Sequence, residues 1–323
     1  MNWPVVGFVL ALGISSLATP WVRRLALRMD VLVQPGGRRV HSQPMPLWGG
    51  IAIFGAFFIA ILLITTLSPQ YAVYRSAIIG VLVSSALVVV VGLLDDMKEF
   101  SAAIQVMAIV FAGVILMTFG VRIQFLSNPF SNTGMNLGPV VSAVVTIIWL
   151  FMVTKTVDFM DGLDGLAAGI GAIGAGILAI MAHYAAQPHV ALMAATLCGA
   201  CIGFLRFNFN PAKIFMGTGG SQFIGFVLAS IAIIGAFKVA AAMAIALPIL
   251  VFGVPIADGI FVIVKRFRDR RPLHVADRSH LHHRLLEKGL SHKQTVIVIY
   301  IMCLIVGGAA LALFWVCMRR LSG

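Results

Sequence analysis

Acidic side chains are scarce in this chain: eleven Asp and Glu stand among 323 residues, and charged residues of either sign make up 11%. Soluble domains carry about 25% charged residues, so a chain that is 60% hydrophobic with a mean hydropathy of +1.03 falls outside that class. It reads as a polytopic membrane protein. Cysteine is nearly absent too, and four Cys offer no disulfide framework. The one close pair, Cys198 and Cys201, lies in an apolar run with no second pair for zinc and no adjacent strand for a redox motif, so both read as small buried side chains. No repeat of fixed period and no low-complexity tract occurs.

What the chain has instead is long apolar runs. A membrane-spanning helix takes about 20 apolar residues, and ten runs approach that length: 3–22, 47–68, 76–94, 102–121, 140–154, 165–187, 190–205, 221–237, 239–264 and 295–318. The expected fold is an all-α integral membrane protein of about ten transmembrane helices, one polytopic domain spanning 1–323. No charge precedes the first run and no small-residue cleavage site follows it, so it is expected to be an uncleaved span with its N-terminus outside. Counting alternately from there, all of the 23 Lys and Arg except Arg75, Arg122, Lys238, Arg319 and Arg320 fall in or beside inner connections. That is the distribution the positive-inside rule requires, and it sets both termini outside.

All eleven acids fall on the same inner side, although acidic residues have little influence on topology. Their sorting therefore asks for another cause. In a helix Asp95 and Glu99 stand at i,i+4, and Asp158, Asp161 and Asp164 repeat an i,i+3 spacing within "KTVDFMDGLDGL". Like charges so placed destabilise a helix unless a cation lies between them, and hard oxygen ligands select Mg²⁺, Mn²⁺ or Ca²⁺. Ionisable groups near membrane depth are costly and mark function, against the alternative that they solvate loop ends. Asp258, seven residues before Lys265 in an apolar run, sits roughly 10 Å up a helix at 1.5 Å per residue. It reads either as a supporting carboxylate for the site or as a buried partner for a base.

The last inner connection, 265–294, carries His274, His280, His282, His283 and His292 among nine Lys and Arg. Arg donates bidentate pairs and neutral His both donates and accepts, so such a set suits phosphates and sugar hydroxyls; anchoring to anionic lipid is the simpler alternative. The connection 206–220 offers Asn208, Asn210 and Lys213, then Gly217, Gly219, Gly220 and Ser221 opening the next run, a pattern that suits an anion-binding turn without being a P-loop. On the outer side, 122–139 is rich in Asn, Gly, Pro and Ser and reads as an ordered turn or short hairpin, or else a plain connector. The net charge of +12 is spread over short loops flanking lipid-length helices, so nucleic acid is not an expected partner. A transporter would hold its charges near the midplane between related halves, and neither feature is present.

Together these residues resemble the polyprenyl-phosphate N-acetylhexosamine-1-phosphate transferases, the glycosyltransferase family 4 enzymes that initiate O-antigen and teichoic acid linkage units, together with the phospho-MurNAc-pentapeptide transferase. The matching segments are "RRVHSQPMPLWGG" (38–50), "LLDDMKEFS" (93–101), "DGLDGLAAG" (161–169), "FNPAKIFMG" (209–217), "GVPIAD" (253–258) and "DRSHLHHRL" (277–285), in the family's order. The resemblance implies an enzyme of the bacterial inner membrane with its site on the cytoplasmic face. It would use Mg²⁺, or Mn²⁺ in its place, to move a sugar 1-phosphate from a UDP-N-acetylhexosamine onto undecaprenyl phosphate, releasing UMP. By motif, Asp95 and Asp96 would serve the lipid phosphate, one of them as proton acceptor. Asp161 and Asp164 would organise the nucleotide and metal region. Lys155, Asn208, Lys213, His280, His282, His283 and Arg284 would bind substrate. The pentapeptide branch usually shows Glu two residues after its paired histidines, whereas Arg284 and Leu285 follow His283 here, which favours the hexosamine branch and UDP-GlcNAc.

Three positions depart from the family pattern. Where it writes N-x-x-N-x-x-D-G this chain has Lys155 and Asp158, and where it writes G-D-x-G-S this chain has Thr218. The expected metal shell is therefore Asp158 with Thr218, a carboxylate having changed helices, and Lys155 either neutralises the substrate diphosphate or pairs with Asp158 at i,i+3. A catalytically impaired homologue that binds polyprenyl phosphate or an assembly partner is the competing reading. Monomer and homodimer both remain open.

Overall fold

The structure, a computed structural model, describes residues 2–34, 44–127, 134–235, 252–268 and 280–322. In chain order these form α1 (Trp3–Arg28), β1 (Leu32–Val33), β2 (Met45–Pro46), α2 (Gly49–Leu67), a 3₁₀ turn (Pro69–Tyr74), α3 (Arg75–Lys98) and α4 (Ala102–Thr118). They continue with β3 (Phe125–Ser127), β4 (Gly134–Asn136), α5 (Pro139–Phe159), α6 (Leu166–Tyr184), α7 (Pro188–Asn208), α8 (Thr218–Gly235), α9 (Gly253–Arg268), α10 (Leu281–Glu287) and α11 (His292–Ser322). Among the described residues eight helices are long and apolar enough to cross a membrane, and the protein is an all-α multi-pass membrane protein. One expected span comes out shorter, α4 having 17 residues; of the run 239–264, residues 239–251 lie outside the described residues, and α9 has 16 residues and closes on Lys265, Arg266 and Arg268. Residues 38–43 and 277–279 of the family-like segments, and His274 of the histidine loop, lie outside the described residues.

Proline sets helix starts where the chain re-enters the bundle. Pro139 and Pro188 occupy the first turns of α5 and α7, where the missing N–H costs no intrahelical bond. The 122–139 segment, expected on the outer side, contains a short antiparallel strand pair, with Phe125 paired to Asn136 and Ser127 to Gly134. Helix α8 forms the centre: 89% of its membrane-length window is buried, against 28% for α1 and α11, whose apolar side chains face the lipid.

Small residues decide how closely α8 is approached. A Cβ on Gly50 would overlap the backbone of Gly220, and one on Gly92 would overlap the backbone of Gly219. The starts of α2 and α8 and the last turns of α3 therefore press backbone to backbone. Chain hydrogen bonds complete the junction: Gly49 N–H donates to Phe215 O at 2.9 Å, Gly50 N–H to Met216 O at 2.9 Å, and Phe215 N–H to Pro46 O at 2.8 Å. The C-terminal ends of α3, α5 and α7, the N-terminal ends of α6, α8 and α11, and α10 all gather at this one end of the bundle around a common cavity.

Candidate active site

The cavity at that end holds about 740 Å³. Its polar side is formed by Asp95 and Asp96 from α3, Asp158 from α5, Asp161 and Asp164 from the turn before α6, and Asn208 and Thr218. Its other side is apolar, with Leu32, Val33, Leu47, Phe100 and Phe215. Both carboxylate clusters named from the sequence thus meet in one space, with His283 from α10 at its margin.

The carboxylates differ in how far the protein already satisfies them. Asp95, 7% exposed, accepts from Phe100 N–H at 2.8 Å and from Gln105 Nε2 at 3.0 Å on each oxygen, so it closes the turn between α3 and α4. Asp164, 4% exposed, accepts on one oxygen from Asn210 Nδ2 and from Ala212 N–H, each at 3.0 Å. Asn208 works from the other side of the same turn: its Oδ1 accepts from Gly165 N–H at 3.0 Å and its Nδ2 donates to Ile214 O at 2.9 Å. Asp164 and Asn208 thereby hold the 208–217 segment against the start of α6.

Asp96 and Asp161 are less committed. Asp96 Oδ1 accepts from Thr218 N–H at 2.8 Å, and the Thr218 side chain faces the same carboxylate. Its Oδ2 is buried with no protein partner among the described residues. That oxygen lies against Gly217, which has φ +77° and whose missing Cβ is what leaves room for it. Asp161 lines the cavity and is half-buried, and its pKa is raised to about 8, by desolvation first and then by the charges of Asp158, Asp96 and Asp164.

The two residues expected as metal ligands are both engaged with protein groups. Asp158 Oδ2 takes Lys155 Nζ at 2.7 Å and Gln222 Nε2 at 3.2 Å, and its Oδ1 takes Ser221 Oγ at 2.6 Å. Lys155, left open between substrate and Asp158, is paired with Asp158 and also donates to Gln105 Oε1 at 2.6 Å. The ammonium of Lys155 thus stands against the Asp158 carboxylate, the second of the two roles open to it from the sequence. Among the described residues no three His, Cys, Asp or Glu side chains converge as a ready metal cage. Mg²⁺ does not need one, because it is commonly held by one or two carboxylates with water and substrate phosphates. The unpartnered Asp96 Oδ2 and the charge-crowded Asp161 fit that description.

The histidine loop divides. His280 Nδ1 is 2.8 Å from Asp258 Oδ2, and Leu281 N–H donates to Asp258 Oδ1 at 2.6 Å, so Asp258 is a buried partner that seats His280 and starts α10. His282 is 1% exposed and rests against Gly162, where a Cβ would meet its Nε2. Its pKa is lowered to about 3, by burial first and then by neighbouring His283 and His280, so it is a neutral packing residue. Arg284 stacks over Phe261 at 4.6 Å and is exposed, as is Lys213. Lys155, Lys213, His280, His282 and Arg284 are not among the cavity-lining residues.

Sequence reasoning passed over Gln105 and Gln222. The signal was present, since each is a lone amide in an apolar helix, where polar side chains need a partner.

Comparison with known proteins agrees with this arrangement. The sequence model of Glycosyl transferase family 4 matches residues 78–236. The chain is 34% identical over 96% of its length to a probable undecaprenyl-phosphate N-acetylglucosaminyl 1-phosphate transferase of Bacillus subtilis (strain 168), covering 84% of that relative. It is also 34% identical, over 96% of its length and 82% of the relative, to a decaprenyl-phosphate N-acetylglucosaminephosphotransferase of Mycolicibacterium smegmatis. A phospho-N-acetylmuramoyl-pentapeptide-transferase of Shouchella clausii is 28% identical over 93% of both chains. With ordered motifs, a shared cavity and relatives matched along nearly the whole length, the chain belongs to glycosyl transferase family 4.

Proposed function

We propose that this protein transfers N-acetylglucosamine 1-phosphate from UDP-N-acetylglucosamine to undecaprenyl phosphate, from the cytoplasmic side of a bacterial plasma membrane, releasing UMP. The observation that carries the reading is the pair Asp96 and Asp161: two carboxylates in one cavity, one with an unpartnered buried oxygen and the other with its pKa raised to about 8 by burial and by the acids around it. Such a pair without a cation is held together against its own repulsion, and phosphates arriving with a divalent ion relieve it. The similarity to N-acetylglucosaminyl 1-phosphate transferases supports the choice of sugar over the pentapeptide branch.

A phosphate oxygen of the lipid attacks the phosphorus that carries the sugar. A new P–O bond forms, the P–O bond to the bridging oxygen breaks, and UMP departs with that oxygen. Asp96 and Asp161 would hold the divalent cation, which supplies positive charge between two anions that would otherwise repel. Gly217 gives Asp96 its room, and Thr218 N–H orients its carboxylate. Asp95 braces the end of α3 through Phe100 and Gln105. His283, which lines the cavity, would contact the sugar or diphosphate. The apolar side formed by Leu32, Val33 and Leu47 suits the first units of a polyprenyl chain.

One observation favours a second reading. Asp158, the expected ligand, is occupied by Lys155, Ser221 and Gln222, which fits a homologue that binds polyprenyl phosphate without transferring to it. Purified protein incubated with UDP-N-acetylglucosamine, undecaprenyl phosphate and Mg²⁺ separates the two. UMP release upholds the transferase; no UMP from any UDP-N-acetylhexosamine leaves the binding protein.

A further inference from the structure

Gln105 sits one turn into α4 and uses both ends of its amide. Nε2 lies 3.0 Å from each oxygen of Asp95, while Oε1 lies 2.6 Å from Lys155 Nζ and 3.3 Å from Gln222 Nε2. Reversing the amide would set its oxygen against a carboxylate and its NH₂ against an ammonium, so the charges on either side select one orientation. Lys155 carries the connection onward to Asp158 at 2.7 Å, and Gln222 reaches the same oxygen at 3.2 Å.

Helices α3 and α5, which carry the acids, are each packed against both α4 and α8. One glutamine comes from each intervening helix, Gln105 from α4 and Gln222 from α8, and both converge on the Lys155–Asp158 pair. A part-buried chain of this kind, satisfied at every link, rigidifies what it joins, and losing a link leaves charged neighbours short of a partner.

We propose that Gln105 is a positioning residue of the active site: it ties the acid-bearing end of α3 to the Lys155–Asp158 pair of α5, and so sets the separation of Asp95 and Asp96 from Asp158 and Asp161 across the cavity. The inference rests on reading that cavity as the transferase site. Gln105 lines the cavity beside Asp95 and Asp158, and its role is to hold the carboxylates in register while the two phosphates are brought together.

The test is a double-mutant cycle on the full-length protein, with UMP release and the thermal unfolding midpoint read for each variant. Gln105→Leu leaves Asp95 with Phe100 N–H alone and removes one acceptor of Lys155; it should lower kcat at least about tenfold while KM for the UDP-sugar stays within about threefold, the signature of misplaced groups rather than lost substrate contact. Lys155→Met removes the link through which Gln105 acts on Asp158, so the double variant should be no more than about twofold worse than the worse single. If Gln105→Leu does not fold, Gln105→Asn retains the amide but is one methylene short of bridging, and carries the same expectation. A kcat for the Gln105 variant within about threefold of the parent, or losses that multiply in the double variant, overturns the proposal. Should the parent itself release no UMP, the transferase reading falls separately and the cycle is judged on unfolding midpoints: a double variant no lower than the worse single upholds the clamp, and additive losses overturn it.

Discussion

Replacing Gly217 by Ala tests the site through a single methyl group. Gly217 has φ +77°, and a Cβ built there would overlap Asp96 Oδ2 and lie 3.0 Å from its Cγ. Two costs follow. The left-handed backbone costs a non-glycine residue about 1–2 kcal/mol, which appears as a lower unfolding midpoint. The overlap forces Asp96 away by an amount on the order of 1 Å, a displacement that can cost about a hundredfold in rate when it moves a reacting geometry. Gly120 supplies the control, because it has φ +85° with nothing within 4 Å of its Cβ position. Gly120→Ala and Gly217→Ala should therefore lose similar stability, while Gly217→Ala alone loses about a hundredfold in UMP release. The assay is kcat for UMP release beside thermal unfolding for both variants. If Gly217→Ala keeps its rate within about threefold of the parent, Asp96 Oδ2 does not serve the reaction and the assignment of that oxygen fails.

Other expectations follow from the same contacts. Asp161, raised to about 8 from 3.8, binds a proton in the folded state that the unfolded chain releases, so metal-free stability should fall as pH rises between those values. Mg²⁺ competes with that proton; its apparent affinity, read from midpoint shifts at pH 6 to 9, should rise about tenfold per unit and level above about pH 8, and a pH-independent affinity would remove Asp161 from the metal. Lys155→Met takes the ammonium from a partly exposed Asp158 that keeps Ser221 and Gln222 as donors, and should destabilise the protein by about 1–3 kcal/mol; Lys155→Met with Asp158→Asn should recover much of that, and no recovery would mean Lys155 acts elsewhere. Asn208→Leu strands Gly165 N–H and Ile214 O, at about 1–3 kcal/mol each, and an unchanged unfolding midpoint would contradict the latch described for it.

Composition and order along the chain were enough for the membrane class, the apolar helices and the grouping of acids with the histidine loop, because lipid permits only long apolar helices or closed barrels and tolerates charge only where it is used. Each of the ten apolar runs contains described helix, and both acidic clusters meet in one cavity. Side-chain partners were a different matter, since a hydrogen bond between helices has no period to read. Asp95 and Asp96 are adjacent in sequence, yet one is closed off by Gln105 and the other keeps an unpartnered oxygen over Gly217. Asp158 is expected as a ligand by its place in the motif, and the motif gives no sign that Ser221 and Gln222, 63 and 64 residues away, together with Lys155 one turn back, hydrogen-bond it. The sequence by itself determined which residues are brought to one end of the bundle, because hydrophobic length and loop charge act locally along the chain. Only the tertiary structure decided which of those carboxylates hold helices together through hydrogen bonds and which keep an oxygen without a partner among the described residues, because that depends on donors contributed by α4 and α8 after the helices have packed.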